Sequence, residues 1–117
     1  MKRTLGVILG LVLSASAQTS NLTGKWRATW LDGGTPNIFT LTDGTEITGH
    51  YTTDKGVDCR VLGFKSPDRE VSLYVNCVDW DIQLDGYLTN DNLTINGKYL
   101  ANGDHNGKFK MEKIPNK

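Results

Sequence analysis

From Gly24 onward the chain alternates apolar with polar side chains, and it carries that two-residue period through successive turn signals as far as Met111. Neighbouring side chains of an extended strand point to opposite faces, so this period buries one face and wets the other, whereas a helix needs a period of 3.6. The first run, Gly24-Lys25-Trp26-Arg27-Ala28-Thr29-Trp30, sets the pattern, and seven further short runs follow, each ended by Gly, Asp, Asn or Pro. Eight strands on short loops make a meander that removes its own edges by closing. The predicted fold is therefore all-β, an eight-stranded antiparallel up-and-down meander barrel. Two packed sheets of similar strand count are the alternative that parity leaves open.

Parity also predicts register. Ile38 to Thr42 and Glu46 to Thr53 flank Asp43-Gly44-Thr45 as a hairpin. A two-residue loop would set Leu41 against Glu46, whereas a three-residue loop sets Leu41 against Ile47 and Phe39 against Gly49. In the next pair, Val57 to Phe64 and Val71 to Cys77, placing Val61 opposite Val75 and Gly63 opposite Leu73 also brings Cys59 opposite Cys77, within reach of a disulfide. Trp80, Ile82, Leu84, Gly86 and Leu88 form an even-numbered apolar face. After Asn90-Asp91 an odd-numbered face resumes at Leu93, Ile95, Gly97 and Tyr99, a switch that a two-residue loop supplies and that counts Leu93 as core. The last strand is Gly107 to Lys113. The predicted interior comprises Trp26, Trp30, Phe39, Tyr51, Val61, Leu73, Trp80, Leu84, Ile95, Tyr99, Phe109 and Met111, enough bulk to fill a small barrel.

Met1-Lys2-Arg3, the apolar run Leu5 to Leu13 and Ala15-Ser16-Ala17 follow the charged, apolar, small-residue order of a secretory signal. Residues 1–17 are read as a signal peptide and residues 18–117 as a single β-barrel domain, secreted to an extracellular or periplasmic space. The apolar run is shorter than the ~20 residues that span a bilayer, and no second run or cysteine at the cleavage point offers a membrane anchor. Without Lys2 and Arg3, 11 basic side chains face 13 acidic ones, a net charge of −2 that argues against nucleic acid. Two cysteines in an exported chain of this size suit a disulfide better than a metal or redox pair.

Residues that carry chemistry are sparse. His50 falls on the outer face, and Asp104-His105 lies in a loop without a nearby nucleophile to activate. Asp79, Asp81 and Asp85 surround Trp80, but alternation sends Asp81 and Asp85 outward as a solvated face. No catalytic residue, metal ligand or cofactor is assigned, and the chain is read as a non-enzyme. Asn21-Leu22-Thr23 and Asn92-Leu93-Thr94 are glycosylation sequons that matter in a eukaryotic host. Trp30, Tyr51, Thr53 and Trp80 lie towards strand ends, where aromatic walls and hydroxyls suit a small apolar or ring-containing ligand at the barrel mouth. Leu62, Phe64 and Tyr74 form an apolar group on the outer face and predict a homo-oligomer.

Asn21-Leu22-Thr23-Gly24-Lys25-Trp26 and Glu46-Ile47-Thr48-Gly49-His50-Tyr51-Thr52-Thr53 resemble the first and third strands of the avidin family, and the G-x-W element also resembles lipocalins. The resemblance implies a calycin-type barrel whose early strands hold the rings of biotin by hydrogen bonds, with Tyr51 and Thr53 on matching positions and Trp80 as a wall. Ala28 stands where that family carries an asparagine, and no polar ligand-contacting residue precedes Phe109. A second resemblance, to small secreted metalloprotease inhibitors with a G-x-W strand and one disulfide, implies instead an inhibitor of a protease or other hydrolase acting through its loops and N-terminal tail.

Overall fold

The computed structural model describes residues 21–53 and 55–115, so the expected signal segment lies outside the described residues. Eight strands run in chain order: β1 Gly24–Trp30, β2 Asn37–Asp43, β3 Ile47–Thr52, β4 Asp58–Lys65, β5 Glu70–Asn76, β6 Asp81–Leu88, β7 Thr94–Ala101 and β8 His105–Lys113. Each pairs antiparallel with the next, and β8 returns to β1 through Trp26↔Lys113 to Trp30↔Phe109, closing the barrel. The alternating side chains fill the centre: Trp26, Phe39, Val61, Ile95 and Met111 are wholly buried.

Inward-facing glycines allow the sheet to coil this tightly. Gly86 pairs with Gly97 across β6 and β7. A Cβ on Gly97 would stand 2.0 Å from the Asp85 carbonyl oxygen and 2.5 Å from the Gly86 Cα, so no side chain fits where these strands bend together.

The β4–β5 register is the expected one, with Val61↔Val75 and Gly63↔Leu73. The Cys59–Cys77 disulfide closes beyond the ladder with a Cα separation of 4.7 Å. Disulfides persist in oxidising compartments, so this bridge fits an extracellular or periplasmic setting.

Three expectations are corrected. The β2–β3 loop does have three residues, Gly44 to Glu46, but it lies one residue further on, with Asp43↔Ile47, Leu41↔Gly49 and Phe39↔Tyr51. A slide of two residues leaves every side chain on its face, so parity could not exclude it. The decision rests with Asp43, whose amide donates to Thr23 Oγ1 (3.0 Å) and whose carboxylate accepts from Leu22 N–H (2.8 Å) and Lys65 Nζ (2.6 Å). The β6–β7 loop has four residues rather than two, because Thr89 N–H still donates to the Thr94 carbonyl. Leu93 therefore sits in that loop, 52% exposed, and not in the core. Trp30 and Trp80, expected inside, are only half-buried and pack on the edge of the core.

Candidate functional site

The two ends of the barrel are built differently. At one end, Leu22 is wholly buried and its carbonyl accepts the Trp26 indole N–H at 2.9 Å, so the segment before β1 seals the opening. Beside it the Arg69 guanidinium donates to the Leu88 and Thr89 carbonyls and to Asn92 Oδ1, tying the β4–β5 turn to the β6–β7 turn. At the other end no such segment crosses among the described residues. Among the described residues that end is bounded by 31–36, 53, 55–57, 77–80 and 102–104, and two cavities that share Trp30 and Tyr51 open there.

The larger cavity, about 450 Å³, brings together all four side chains expected at the mouth: Trp30, Tyr51, Thr53 and Trp80. Tyr51 projects inward from β3, stacked at a tilt on Phe39 (centroids 4.8 Å apart) and edge-on to Trp80 (6.0 Å). Trp80 precedes β6 in a short loop held by the disulfide and by Cys77 N–H donating to the Trp80 carbonyl at 2.9 Å. Thr53 Oγ1 accepts the Val57 amide at 3.0 Å; a hydroxyl can donate as well as accept, so its own proton is left for another partner. Thr35, Lys55 and Asp79 complete the polar part of the rim.

The most telling residue of this cavity, Asn37, carries no mark in the apolar pattern of the sequence. It opens β2, shares the inward parity of Phe39 and Leu41, and is 8% exposed, the one polar residue buried as a whole among the described residues. Its Oδ1 accepts the Trp30 indole N–H at 2.9 Å. Indole nitrogen only donates, which fixes the oxygen towards Trp30 and leaves the amide NH₂ as the opposite group. Among the described residues that NH₂ has no protein partner, and Asn37 lines the cavity. An amide donor at the wall of a cavity can be met there by an acceptor on a bound molecule.

The second cavity, about 390 Å³, shares Trp30 and Tyr51 with the first and adds Asp32, Gly33, Ile82, Tyr99 and His105. Tyr99 Oη donates to the Asp32 carboxylate, 2.8 Å from each oxygen, and its ring meets Trp30 edge-on at 5.1 Å. Burial, together with the Asp32 charge and hydrogen bond, raises the Tyr99 hydroxyl above its ordinary pKa. His105 Nε2 lies 3.6 Å from Asp32 Oδ2 and 3.4 Å from Tyr99 Oη.

The remaining candidates lie elsewhere. His50 is on the outer face beside Asp58, 3.5 Å away, and two-thirds exposed. Leu62 and Tyr74 are cross-strand partners on the outside, 46% and 44% exposed, with Phe64 65% exposed on the same face. Asp81 accepts the Tyr74 hydroxyl at 3.1 Å on that outer surface. Among the described residues no three His, Cys, Asp or Glu side chains gather as a metal site would. No protein-family model, curated protein or solved structure matches the chain. The functional reading therefore rests on the mouth itself.

Proposed function

We propose that the protein is a secreted small-barrel binding protein that takes a small ring-containing ligand into its open mouth, in the manner the avidin-like segments imply. One observation carries the reading: a buried, unpartnered amide donor on Asn37 lines a cavity of about 450 Å³ walled by Trp30, Tyr51 and Trp80. Apolar walls with a few placed polar groups are the usual make-up of a small-molecule site. The rings supply contact area, Thr53 and Asn37 fix orientation, and no step of catalysis is required. The inhibitor reading draws less support, because Leu22 and Thr23 of the N-terminal tail are engaged in sealing the closed end. The outer group Leu62, Phe64 and Tyr74 extends the proposal to a homo-oligomer, which sedimentation at micromolar concentration tests; a monomer there ends that part of it.

The test of binding is a panel of small ring compounds, biotin included, followed by melting temperature and tryptophan fluorescence. At least one compound is expected to raise the melting temperature and quench fluorescence, and Asn37→Asp, which replaces the donor with an acceptor, is expected to weaken any acceptor-bearing ring. A panel without a single thermal shift, beside a Trp80→Ala variant destabilised by about 3–5 kcal/mol, would show that these rings are packing and not a site.

A further inference from the structure

We propose that the second cavity of the mouth is a site for an organic cation, a quaternary or protonated amine held by Asp32 against aromatic rings. The proposal rests on the mouth accepting ligands, but its charged group lies outside the larger cavity. Among the described residues Asp32 is the one carboxylate lining this space, no lysine or arginine lines it, and His105, whose Nε2 lies 3.6 Å from Asp32 Oδ2, is the one lining group able to carry a positive charge. Its charge is kept available by the arrangement around it. Tyr99 places a single proton between the two carboxylate oxygens, whereas an ionised carboxylate has about four acceptor positions. The Asp32 side chain is 42% exposed, so an incoming cation can reach it.

The backbone is shaped to hold Asp32 there. Leu31 N–H donates to the Lys108 carbonyl and Gly33 N–H to the Trp30 carbonyl, both at 3.0 Å, folding residues 31–33 back over β8. Gly33 has φ +112°, yet a Cβ there would meet nothing within 4 Å. The glycine therefore serves the turn and not the space, and the turn directs the preceding carboxylate towards Tyr99, 67 residues away in sequence.

The residues Trp30, Tyr51 and Tyr99 line the same volume. Aromatic faces attract cations through their quadrupole, and a neighbouring carboxylate adds a Coulombic attraction; a neutral molecule of the same shape gains neither. A weakly hydrated ammonium with an apolar shell is the chemistry that uses both features together.

The test compares choline with dimethylbutanol, its uncharged isostere, by calorimetry on the full-length barrel at about pH 8, where histidine is ordinarily neutral. Choline is expected to bind at least about tenfold more tightly than the alcohol. Asp32→Asn, equal in size, is expected to abolish that preference, and Thr53→Val, confined to the larger cavity, to leave it intact. Equal binding of the two probes, or a preference that survives Asp32→Asn in a folded variant, overturns the proposal. Tyr99→Phe keeps the carboxylate and removes its internal donor, so choline affinity is expected to hold or rise; a loss beyond about tenfold places recognition in the hydroxyl and equally overturns the proposal. If ring compounds bind and choline does not, the cation site falls alone. If choline shows the preference and no ring compound binds, the ring-binding reading falls alone.

Discussion

The sealed end and the open end of this barrel spend polar groups in opposite ways. At the sealed end Asp43 satisfies a lysine, a backbone amide and, through its own amide, a threonine hydroxyl, so polar chemistry there holds the chain to itself. At the open end Asn37 keeps an unpaired amide and Asp32 keeps spare acceptor capacity. The same eight strands support both, which shows that the division lies in what the connecting segments bring to each rim. Side-chain ties gather at one end, and the two cavities that share Trp30 and Tyr51 lie at the other.

That contrast predicts a graded series. The largest loss is expected for Trp26→Ala, which empties a wholly buried site and frees the Leu22 carbonyl, at about 3–5 kcal/mol by chemical denaturation and without effect on ligand affinity. Asp43→Ala leaves Lys65 and the Leu22 amide without their shared acceptor, and about 3 kcal/mol is expected. The Lys65 side chain left behind is 26% exposed and regains part of its hydration, which keeps the loss at the lower end of that for a broken buried pair.

Removing the disulfide with Cys59→Ala and Cys77→Ala together is expected to cost about 3 kcal/mol, on a loop-entropy estimate for a sequence separation of 18. Because Cys77 and Trp80 bound the same short loop, this variant should also blur the larger cavity; unchanged ligand affinity would count against the disulfide as a support of the rim. Trp80→Ala sharpens the comparison directly. The indole is half-buried, so its stability loss should be about 1–2 kcal/mol, clearly below that of Trp26→Ala, while its effect on ligand binding should be the larger of the two.

The smallest effect is a matter of pH. Tyr99 has its pKa raised in the folded state, so the folded barrel favours the protonated phenol. The stabilisation is complete below the ordinary tyrosine value of about 10 and is lost as pH rises through the higher folded value. Thermal melts from neutral to strongly alkaline pH should show this decline at the open end, and Tyr99→Phe should flatten it. A decline of equal size in Tyr99→Phe would assign it to another group.

Much of the architecture was legible because a two-residue period, once aligned with two cysteines, leaves one sensible register for β4 and β5. It was less legible where a slide of two residues preserves every face, as at Asp43↔Ile47, since the deciding bonds come from residues 20 to 22 positions away. The four nominated mouth residues do meet in one cavity. Asn37 was not legible because an inward face is marked in sequence by apolar side chains, and a polar residue that shares their parity carries no such mark. The grouping of Asp32, Tyr99 and His105 was not legible because a contact spanning 67 residues leaves no local pattern.

The pairing of β8 with β1 has a consequence for the life of the chain before it is a barrel. Until Phe109 to Lys113 reach Trp26 to Trp30, β1 and β8 each present a row of unpaired backbone amides and carbonyls, the template on which extended chains aggregate. The contact that ends this exposure joins the two extremes of the domain, so it is among the last to form during synthesis, and its long sequence separation slows folding. Loss of the last strand would therefore do more than weaken the protein: it would turn a self-limiting sheet into one that recruits further copies.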